Sequence, residues 1–318
     1  MSWKFELVAG PYGSPTDGPT WDGDALLFTQ VVISERAAEN RILRYDPQSG
    51  TTTDFRRWTS RNKGLAFSSN GTLYGCQGGS RRLVRYNADG STSVLAHKIG
   101  GLYHNQPEHL VIDHQGRIWF TDPHGNLREA LNPQIRDKLA HASILRMDSP
   151  PNKHSPIRRM TYDTDAPSAV LLSQDDRTLY VAESSEEAQG PRELRAYPIL
   201  EDGTLGQYTV LHAFGADHRG LHRGVSGMCL DAEGNIVTCA GWDRSGPGPM
   251  VYVFSKEGRV LETQLVPASQ PTNCVFGDAD LTTLYVTTSE GHLYRARDTG
   301  RQGWALYPYP ASRPEDRS

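Results

Sequence analysis

The stretch "NKGLAFSSNGTLYGC" (residues 62–76) contains the unit from which the rest of the chain is built. A short apolar run after Lys63 is followed by a polar turn with Asn70 and Gly71, and then by a second apolar run. Asn-Gly between two apolar runs is typical of a β-hairpin with a tight turn. The sequence therefore predicts two antiparallel strands here, and the first of them begins on a lysine.

The same pattern occurs at five other places in the chain. It begins at Asp17 ("DGPTWDGDALLFTQ"), Glu108 ("EHLVIDHQGRIWFTD"), Ser168 ("SAVLLSQDDRTLYVAE"), Ser226 ("SGMCLDAEGNIVTCA") and Thr272 ("TNCVFGDADLTTLYVTT"). The first residues of successive copies are 46, 45, 60, 58 and 46 positions apart. Most copies continue into a third strand, such as "RILRYDP" or "RRLVRYN", and some into a fourth. Four-stranded units repeated at this period indicate an all-β fold, a six-bladed β-propeller of four-stranded antiparallel blades.

The repeats favour one domain over residues 1–310. One copy cannot bury both faces of its small sheet, whereas neighbouring copies in a ring cover each other. The segment from Phe5 to Val8 is a candidate strand for closing the ring with the last blade. Residues 311–318, "ASRPEDRS", are predicted to form a polar tail. Long connections after Asp122 and before Val225 are too long for hairpin turns and are candidate walls of a site.

The composition is that of an ordinary globular protein, with 37% hydrophobic residues and a net charge of -4. No run of Lys and Arg is interleaved with aromatic residues, so nucleic acid is not an expected partner. No segment has the length and hydropathy of a signal peptide or a membrane span, so we expect a cytoplasmic protein without a membrane partner. The four cysteines form no C-x-x-C pair and are predicted to be buried, reduced thiols.

The first strand of each blade lines the central channel of a propeller, so the residues that begin these strands should meet at one end. This places Asp17, Lys63, Glu108, Ser168, Ser226 and Thr272 in one ring. The neighbouring His104, Asn105 and His109 are expected on the same rim. Carboxylates, a lysine and imidazoles in a shared concave site are groups whose pKa values shift and that can act in catalysis. Each residue taken alone is also compatible with a solvated strand end.

Other residues are candidates for binding a small-molecule substrate in this ring. His222 and Arg223 precede Ser226 and could meet an anionic group. Trp242 could form a wall for an apolar ligand, although inter-blade packing explains it equally well. No G-x-S-x-G motif is present, so the sequence does not support a serine hydrolase.

Several of these motifs resemble the gluconolactonase and regucalcin (senescence marker protein) family of six-bladed propellers. The resemblance extends along nearly the whole chain and rests on "DGPTWDGDALLF", "NRILRYDP", "KGLAFSSNGTLYG", "NQPEHLVIDHQGRIWFTDPHG", "TLYVAES", "SGMCLDAEGNIV" and "PTNCVFG". It implies hydrolysis of a sugar lactone with the help of one divalent cation on the channel axis. That cation is usually calcium in the family and exchanges with zinc.

The residues at the family's functional positions differ from the family pattern. The family's Glu-Gly-Pro, whose glutamate binds the metal, reads Asp17-Gly18-Pro19, and its Asn-Gly-Leu reads Lys63-Gly64-Leu65. Its substrate-binding Pro-Asn-Asp reads Pro107-Glu108-His109. The ligand asparagine of its fourth blade is Ser168, and the ligand aspartate of its fifth blade is Ser226. Asn273 matches a family position near the floor of the pore. The family's calcium site is therefore altered in this chain.

Two interpretations of the cation follow from these changes. In the first, no metal is bound, and the ammonium of Lys63 between Asp17 and Glu108 takes the electrostatic role of the cation. In the second, Asp17, Glu108 and His109, with His104 as a further donor, hold a divalent cation such as zinc in place of calcium.

The sequence predicts an enzyme whose catalytic residues are Glu108, His109, Lys63 and Asp17. Its substrate-binding residues are predicted to be His104, Asn105, Ser168, Ser226, His222, Arg223, Trp242 and Asn273. The expected reaction is hydrolysis of a lactone or cyclic ester. A metal-independent isomerase, cyclase or lyase using Lys63, Glu108 and His109 is one alternative. A non-catalytic propeller that binds a small molecule is another.

Overall fold

Six large antiparallel sheets follow one another along the chain, as the spacing of the repeats predicts. The structure is a computed structural model, and it describes residues 2–32, 39–124 and 138–307. In each sheet the strands of the blade are hydrogen-bonded in sequence order, the fifth sheet has one additional strand from residues 303–304, and the last sheet is completed by the first strand of the chain. This arrangement confirms the all-β, six-bladed propeller.

The strands have the following bounds. The first strand of the chain is β1 (Lys4–Ala9). Blade 1 contains β2 (Thr16–Trp21), β3 (Leu26–Gln30), β4 (Arg41–Asp46) and β5 (Thr51–Arg57). Blade 2 contains β6 (Asn62–Phe67), β7 (Leu73–Gln77), β8 (Arg82–Tyr86) and β9 (Thr92–Ala96), with a short 3₁₀ helix at Gly78–Ser80. A small hairpin of β10 (Lys98–Ile99) and β11 (Leu102–Tyr103) follows. Blade 3 contains β12 (Leu110–Ile112), β13 (Ile118–Asp122), β14 (Ser143–Met147) and β15 (Ile157–Arg159).

The second half of the ring is built in the same way. Blade 4 contains β16 (Pro167–Leu172), β17 (Thr178–Ser184), β18 (Arg192–Pro198) and β19 (Thr209–Ala213). The hairpin of β20 (Ala216–Asp217) and β21 (Gly220–Leu221) follows. Blade 5 contains β22 (Val225–Asp231), β23 (Ile236–Trp242), β24 (Ser245–Phe254) and β25 (Val260–Leu265). Blade 6 contains β26 (Pro271–Gly277), β27 (Thr283–Thr288) and β28 (Leu293–Arg297), and β29 (Gly303–Trp304) is the last strand.

The hairpin of the opening stretch forms as its turn residues dictate. Gly71 has φ +78°, a conformation that glycine adopts without steric cost. The side chain of Asn70 accepts hydrogen bonds from the Ser68 hydroxyl at 2.7 Å and from the Thr72 amide at 3.1 Å. The two strands pair in register, with Phe67 opposite Leu73 and Ala66 opposite Tyr74.

Strand register makes the beginnings of the innermost strands equivalent. In each of five blades, the residue before the predicted mouth residue pairs with the second strand. These pairs are Thr16 with Gln30, Asn62 with Gln77, Pro167 with Glu183, Val225 with Ala240, and Pro271 with Thr288. In blade 3, the Glu108 amide donates to the Thr121 carbonyl, next to Asp122. The mouth residues predicted from sequence therefore occupy like positions around the axis.

The two ends of the chain complete the propeller at different places. Strand β1 pairs with β28, and Phe5 lies opposite Ala296, which confirms the closing strand. Strand β29 pairs with β22, where Trp304 lies opposite Leu230. Apolar clusters fill the spaces between neighbouring blades; one of them combines Leu27 and Ile42 of blade 1 with residues of blade 2.

Two further predictions concern the connections and the thiols. Most of the long connection after Asp122 and the predicted tail at 311–318 lie outside the described residues. All four cysteines are buried, as predicted. Within residues 2–32, 39–124 and 138–307, no helix has the length and apolar character needed to cross a membrane.

Candidate functional site

A cavity of about 490 Å³ opens at the end of the channel where the innermost strands begin. Its wall is formed by the loops that lead into blades 2, 3, 4 and 5, together with the segments that follow the second strands of blades 1 to 4. It is lined by Val31, Arg61, Lys63, Gly78, Gln106, Pro107, Glu108, Pro123, His124, Asp165, Ala166, Ser168, Ser184, Ser185, Glu186, Glu187 and Arg223. A concave site with many charged and polar side chains among its lining residues is where a small ligand with several polar groups would bind.

Lys63 and Glu108 form an ion pair on the wall of this cavity. Nζ of Lys63 lies 2.5 Å from Oε1 of Glu108. The backbones of the two blades are joined at the same point, since the amide of Gly64 donates to the carbonyl of Glu108 at 2.7 Å. Burial lowers the pKa of Lys63, but the carboxylates of Glu108 and Asp17 outweigh burial and raise it above its usual value. Lys63 is therefore an ammonium at neutral pH.

Asp17 is buried behind this pair, next to His109 and Asn273. Its Oδ1 accepts the amide of Gly18 at 2.7 Å and the side-chain amide of Asn273 at 3.3 Å, and lies 3.6 Å from Nε2 of His109. Burial raises the pKa of Asp17, but the neighbouring His109 and Lys63 outweigh it and hold the pKa below its usual value. Gly18 has φ +50°, and a Cβ there would collide with the carbonyl of Lys63. Asp17 is thus a buried carboxylate in β2, at a point where the strand is irregular and packs closely against the backbone of β6.

His109 and Asn273 face the other part of the channel. The side-chain nitrogen of Asn273 lies 3.3 Å from Nδ1 of His109, and its oxygen accepts the amide of Cys274 at 2.8 Å. Both residues line a smaller cavity of about 160 Å³ beneath the mouth. The structure therefore divides the four predicted catalytic residues into two groups. Lys63 and Glu108 face the larger cavity, and Asp17 and His109 lie deeper.

The hydroxyls of Ser168, Ser226 and Thr272 connect neighbouring blades. Each donates to the carbonyl that precedes the mouth residue of the next blade: Ser168 to Val225 at 2.9 Å, Ser226 to Pro271 at 2.7 Å and Thr272 to Thr16 at 2.7 Å. Ser168 also lines the larger cavity. These hydroxyls therefore hold the ring together at the level of the mouth.

The prediction that His104 and Asn105 lie on the rim is wrong. Both are buried, with 0% and 2% of their surfaces exposed. The ring of His104 packs on Phe120 with centroids 5.5 Å apart, and burial lowers its pKa to about 3. The side-chain amide of Asn105 donates to the carbonyl of His141 at 2.7 Å. The physical reason is that Asp122 accepts the backbone amide of Asn105. This hydrogen bond holds His104 and Asn105 in the interior, behind the residues that line the cavity.

Of the three candidates near blade 5, the structure brings Arg223 to the cavity. Its guanidinium donates to the carbonyl of Ser184 at 3.2 Å and lies 3.5 Å from Glu186. His222 stacks on Phe214 with ring centroids 4.6 Å apart, and burial lowers its pKa to about 4. The indole of Trp242 donates to the carbonyl of Leu221 at 3.2 Å. His222 and Trp242 thus support the loop and hairpin next to the cavity.

Sequence reasoning missed several residues of the cavity wall. Arg61, Gln106 and Ala166 lie two positions before the mouth residues of blades 2, 3 and 4, and all three line the cavity. Because this offset is the same in three repeats, the sequence repeat itself could have predicted that these residues line the cavity. Asp165 and the two glutamates Glu186 and Glu187 come from loops whose paths a repeat pattern does not define.

The residues at the axis do not fit the calcium site that the family resemblance implies. A hard cation needs several oxygen ligands at close range. The hydroxyls of Ser168 and Ser226, at two of the ligand positions, donate to backbone carbonyls, and an ammonium occupies a neighbouring position. Glu108 pairs with Lys63, apart from Asp17 and His109. In the part of the chain that the structure describes, no group of three or more His, Cys, Asp or Glu side chains is arranged to hold a metal ion.

The chain is similar to known proteins along most of its length. Residues 15–290 match the protein family described as the SMP-30/Gluconolactonase/LRE-like region. A gluconolactonase from Zymomonas mobilis is 24% identical over 309 residues, covering 91% of this chain and 80% of that protein. A 6-deoxy-6-sulfogluconolactonase from Pseudomonas putida is 24% identical over 277 residues, covering 85% and 82%. The solved structure of a gluconolactonase from Xanthomonas campestris has a TM-score of 0.73 and 26% identity, covering 93% of this chain and 89% of that one.

Proposed function

Because the chain belongs to the SMP-30/Gluconolactonase/LRE-like family, we propose that it hydrolyses a lactone or a related cyclic ester in the cavity at the channel mouth. Two of its relatives are lactonases of sugar acids that cover more than four fifths of this chain. The observation that supports the proposal best is the ion pair of Lys63 and Glu108, which combines a positive charge and a carboxylate on the wall of the cavity.

In the proposed reaction, the carbonyl oxygen of the lactone lies next to the ammonium of Lys63. Glu108 takes a proton from a water molecule as the water oxygen bonds to the carbonyl carbon. The ammonium stabilises the negative charge that develops on the carbonyl oxygen. The bond from the carbonyl carbon to the ring oxygen then breaks, and the ring oxygen receives the proton from Glu108. The product is the open hydroxy acid, and the enzyme returns to its starting state.

The positive charge of Lys63 replaces, in this proposal, the cation that the family resemblance implies. The ammonium has carboxylates on two sides, Glu108 in direct contact and Asp17 behind it. These neighbours keep it protonated, so it supplies a permanent charge close to the reacting carbonyl. Arginine at this position would keep the charge but would change its geometry, because a guanidinium is planar and longer.

The experiment measures acid release from a panel of aldonolactones with five- and six-membered rings. We expect Lys63→Met and Glu108→Gln each to lower kcat/KM by about 100-fold or more, as for loss of a group that stabilises transition-state charge. Lys98→Met is the matched control, because Lys98 is exposed and packs on the ring of Tyr103. Retained folding of each variant is checked by circular dichroism.

A second measurement separates the role of Lys63 from the reaction itself. We expect full activity after treatment with a chelator and less than stoichiometric metal by elemental analysis. Stoichiometric metal with activity lost on chelation would overturn the role of Lys63 as the cation and leave lactone hydrolysis standing. Failure to hydrolyse any lactone in the panel would overturn the proposed reaction and favour a metal-independent isomerase, cyclase or lyase, or a binding protein.

A further inference from the structure

Two buried carboxyl groups occupy the same position in neighbouring blades. Asp122 ends the second strand of blade 3, and Glu183 lies at the equivalent place in blade 4; neither has any exposed surface. The residues at this position in the other blades are not acidic: they are Gln30, Gln77, Ala240 and Thr288. Neither acid has a role in the proposed reaction.

Each of these carboxyl groups accepts two backbone amides from the loop that leads into its blade. Asp122 accepts the amides of Asn105 and Gln106, both at 2.9 Å. Glu183 accepts those of Asp165 and Ala166, at 3.1 and 2.8 Å. In both loops the next residue is a proline, and the residue after the proline is the mouth residue, Glu108 or Ser168.

The two loops are adjacent in the ring and form one wall of the cavity. Gln106 and Pro107 of the first loop line it, as do Asp165 and Ala166 of the second. The backbone of Glu108 is fixed two residues beyond the amides that Asp122 binds. A change in the conformation of this loop would therefore move the Glu108 carboxylate away from the ammonium of Lys63.

We propose that Asp122 and Glu183 are positioning residues that fix the two loops of the cavity wall, and that Asp122 in this way holds Glu108 at Lys63. The effect of Asp122 on catalysis rests on the proposed function, whereas its effect on the loop does not. A displacement of about 1 Å in a catalytic group can lower a rate by about 100-fold. Asp122 thus acts on the reaction through Glu108, without contacting the substrate.

The two acids use their oxygens differently, which allows a sharp test. Asp122 binds one amide with each oxygen, Asn105 with Oδ2 and Gln106 with Oδ1. Glu183 binds both amides with Oε2, and its Oε1 lies 3.8 Å from the guanidinium of Arg195. Replacing the carboxylate by an amide removes one of the two acceptors of Asp122. The same change can leave the single acceptor of Glu183 in place.

Protonation of the two carboxylates should also affect the loop hydrogen bonds of Asp122 more than those of Glu183. Burial raises the pKa of each group to about 7. The charged and titratable groups that act on Asp122 are Arg81, which lowers its pKa, Glu108, which raises it, and the nearby thiol of Cys76. Below about pH 7 a proton on Asp122 occupies an oxygen that accepts an amide, so this oxygen becomes a weaker acceptor and the hydrogen bond to the loop weakens.

Glu183 has room for a proton without loss of a loop hydrogen bond. Its pKa is lowered by Arg195 and raised by Asp165. A proton on Oε1 leaves both amide bonds on Oε2 intact. The wild-type enzyme should therefore lose activity below about pH 7 because of Asp122.

The experiment compares Asp122→Asn with Glu183→Gln by hydrogen exchange and kinetics. In Asp122→Asn we expect the amides of Asn105 and Gln106 to exchange at least about tenfold faster, and kcat to fall about 10- to 100-fold. This variant should also lack the decrease in activity below pH 7. In Glu183→Gln we expect the amides of Asp165 and Ala166 to stay protected and the loss of kcat to be smaller.

Asp113→Asn is the matched control in the same blade. Asp113 is buried in the turn at the opposite end of β12 and β13, where it binds the amide of Arg117 at 2.8 Å and the indole of Trp119 at 2.9 Å. We expect this variant to lower the melting temperature and to leave kcat and the exchange of Asn105 and Gln106 unchanged.

Two results would overturn the proposal. One is unchanged exchange of Asn105 and Gln106 in Asp122→Asn. The other is an equal effect of Asp113→Asn on these amides, which would assign the effect to general loss of stability. If the wild-type chain hydrolyses no lactone, the proposed reaction fails, but the exchange measurements still decide whether Asp122 fixes the loop.

Discussion

At the scale of single residues, the mouth of the channel contains side chains of two kinds. The charged groups of Lys63 and Glu108 line the cavity. The hydroxyl of Ser226 instead lies between the blades and donates to the carbonyl of Pro271. Strand register alone gives all three residues the same position. The difference arises because a short hydroxyl reaches only the adjacent backbone, whereas a long charged side chain extends past it to the axis.

Ser226→Ala should lower stability more than a surface substitution. The change leaves the carbonyl of Pro271 without its donor, at 2.7 Å in the wild type, in a half-buried position. We expect the free energy of unfolding to fall by about 1–2 kcal/mol. Urea denaturation followed by fluorescence measures it. An unchanged free energy of unfolding in Ser226→Ala would show that the inter-blade hydrogen bond contributes nothing.

At the scale of strands and loops, the sequence predicts the regular parts well. Alternating apolar runs around turns such as Asn70-Gly71 define the hairpins, and the spacing of the repeats defines which residues reach the mouth. The buried course of His104 and Asn105 could not be predicted in this way. It depends on hydrogen bonds between their loop and Asp122, which is 17 residues away from Asn105.

Strand β29 is an element that the repeat pattern does not contain. Residues 304–307 run across the far end of the channel and line the smaller cavity. Trp304 pairs with Leu230 of blade 5, and Tyr307 packs on Phe67 of blade 2 with ring centroids 5.5 Å apart. This segment therefore covers apolar side chains that face the channel.

Truncation after Gln302 should expose this end of the channel. Loss of the apolar burial of Trp304 and Leu306 is expected to lower the free energy of unfolding by about 3–5 kcal/mol. Binding of a hydrophobic dye should increase as the apolar lining is uncovered. A chain lacking only residues 308–318 is the control. Equal stability and dye binding of the two truncated chains would contradict a covering role for 303–307.

At the scale of the whole molecule, the ring is closed by pairing between a strand near the start of the described chain and a strand near its end. Strand β1 pairs with β28 through residues about 290 positions apart. The backbone amide of Trp3 donates to Oε1 of Gln264 at 2.9 Å. Such a pairing follows from the sequence only as a possibility, because β1 lacks the hairpin partner that identifies the other strands. Sequence repetition thus predicts six blades, and the contacts between first and last blade determine how they close.

Deletion of residues 2–9 should therefore open the ring without removing any complete blade. The edge of β28 becomes unpaired, and an exposed edge strand promotes association with other chains. Burial of Trp3 and the packing of Phe5 and Val8 are lost as well, so we expect the free energy of unfolding to fall by about 5 kcal/mol. Adding a synthetic peptide of residues 2–12 should restore the melting temperature by pairing with β28. A scrambled peptide is the control. Equal recovery with both peptides, or no loss of stability on deletion, would show that β1 does not hold the propeller closed.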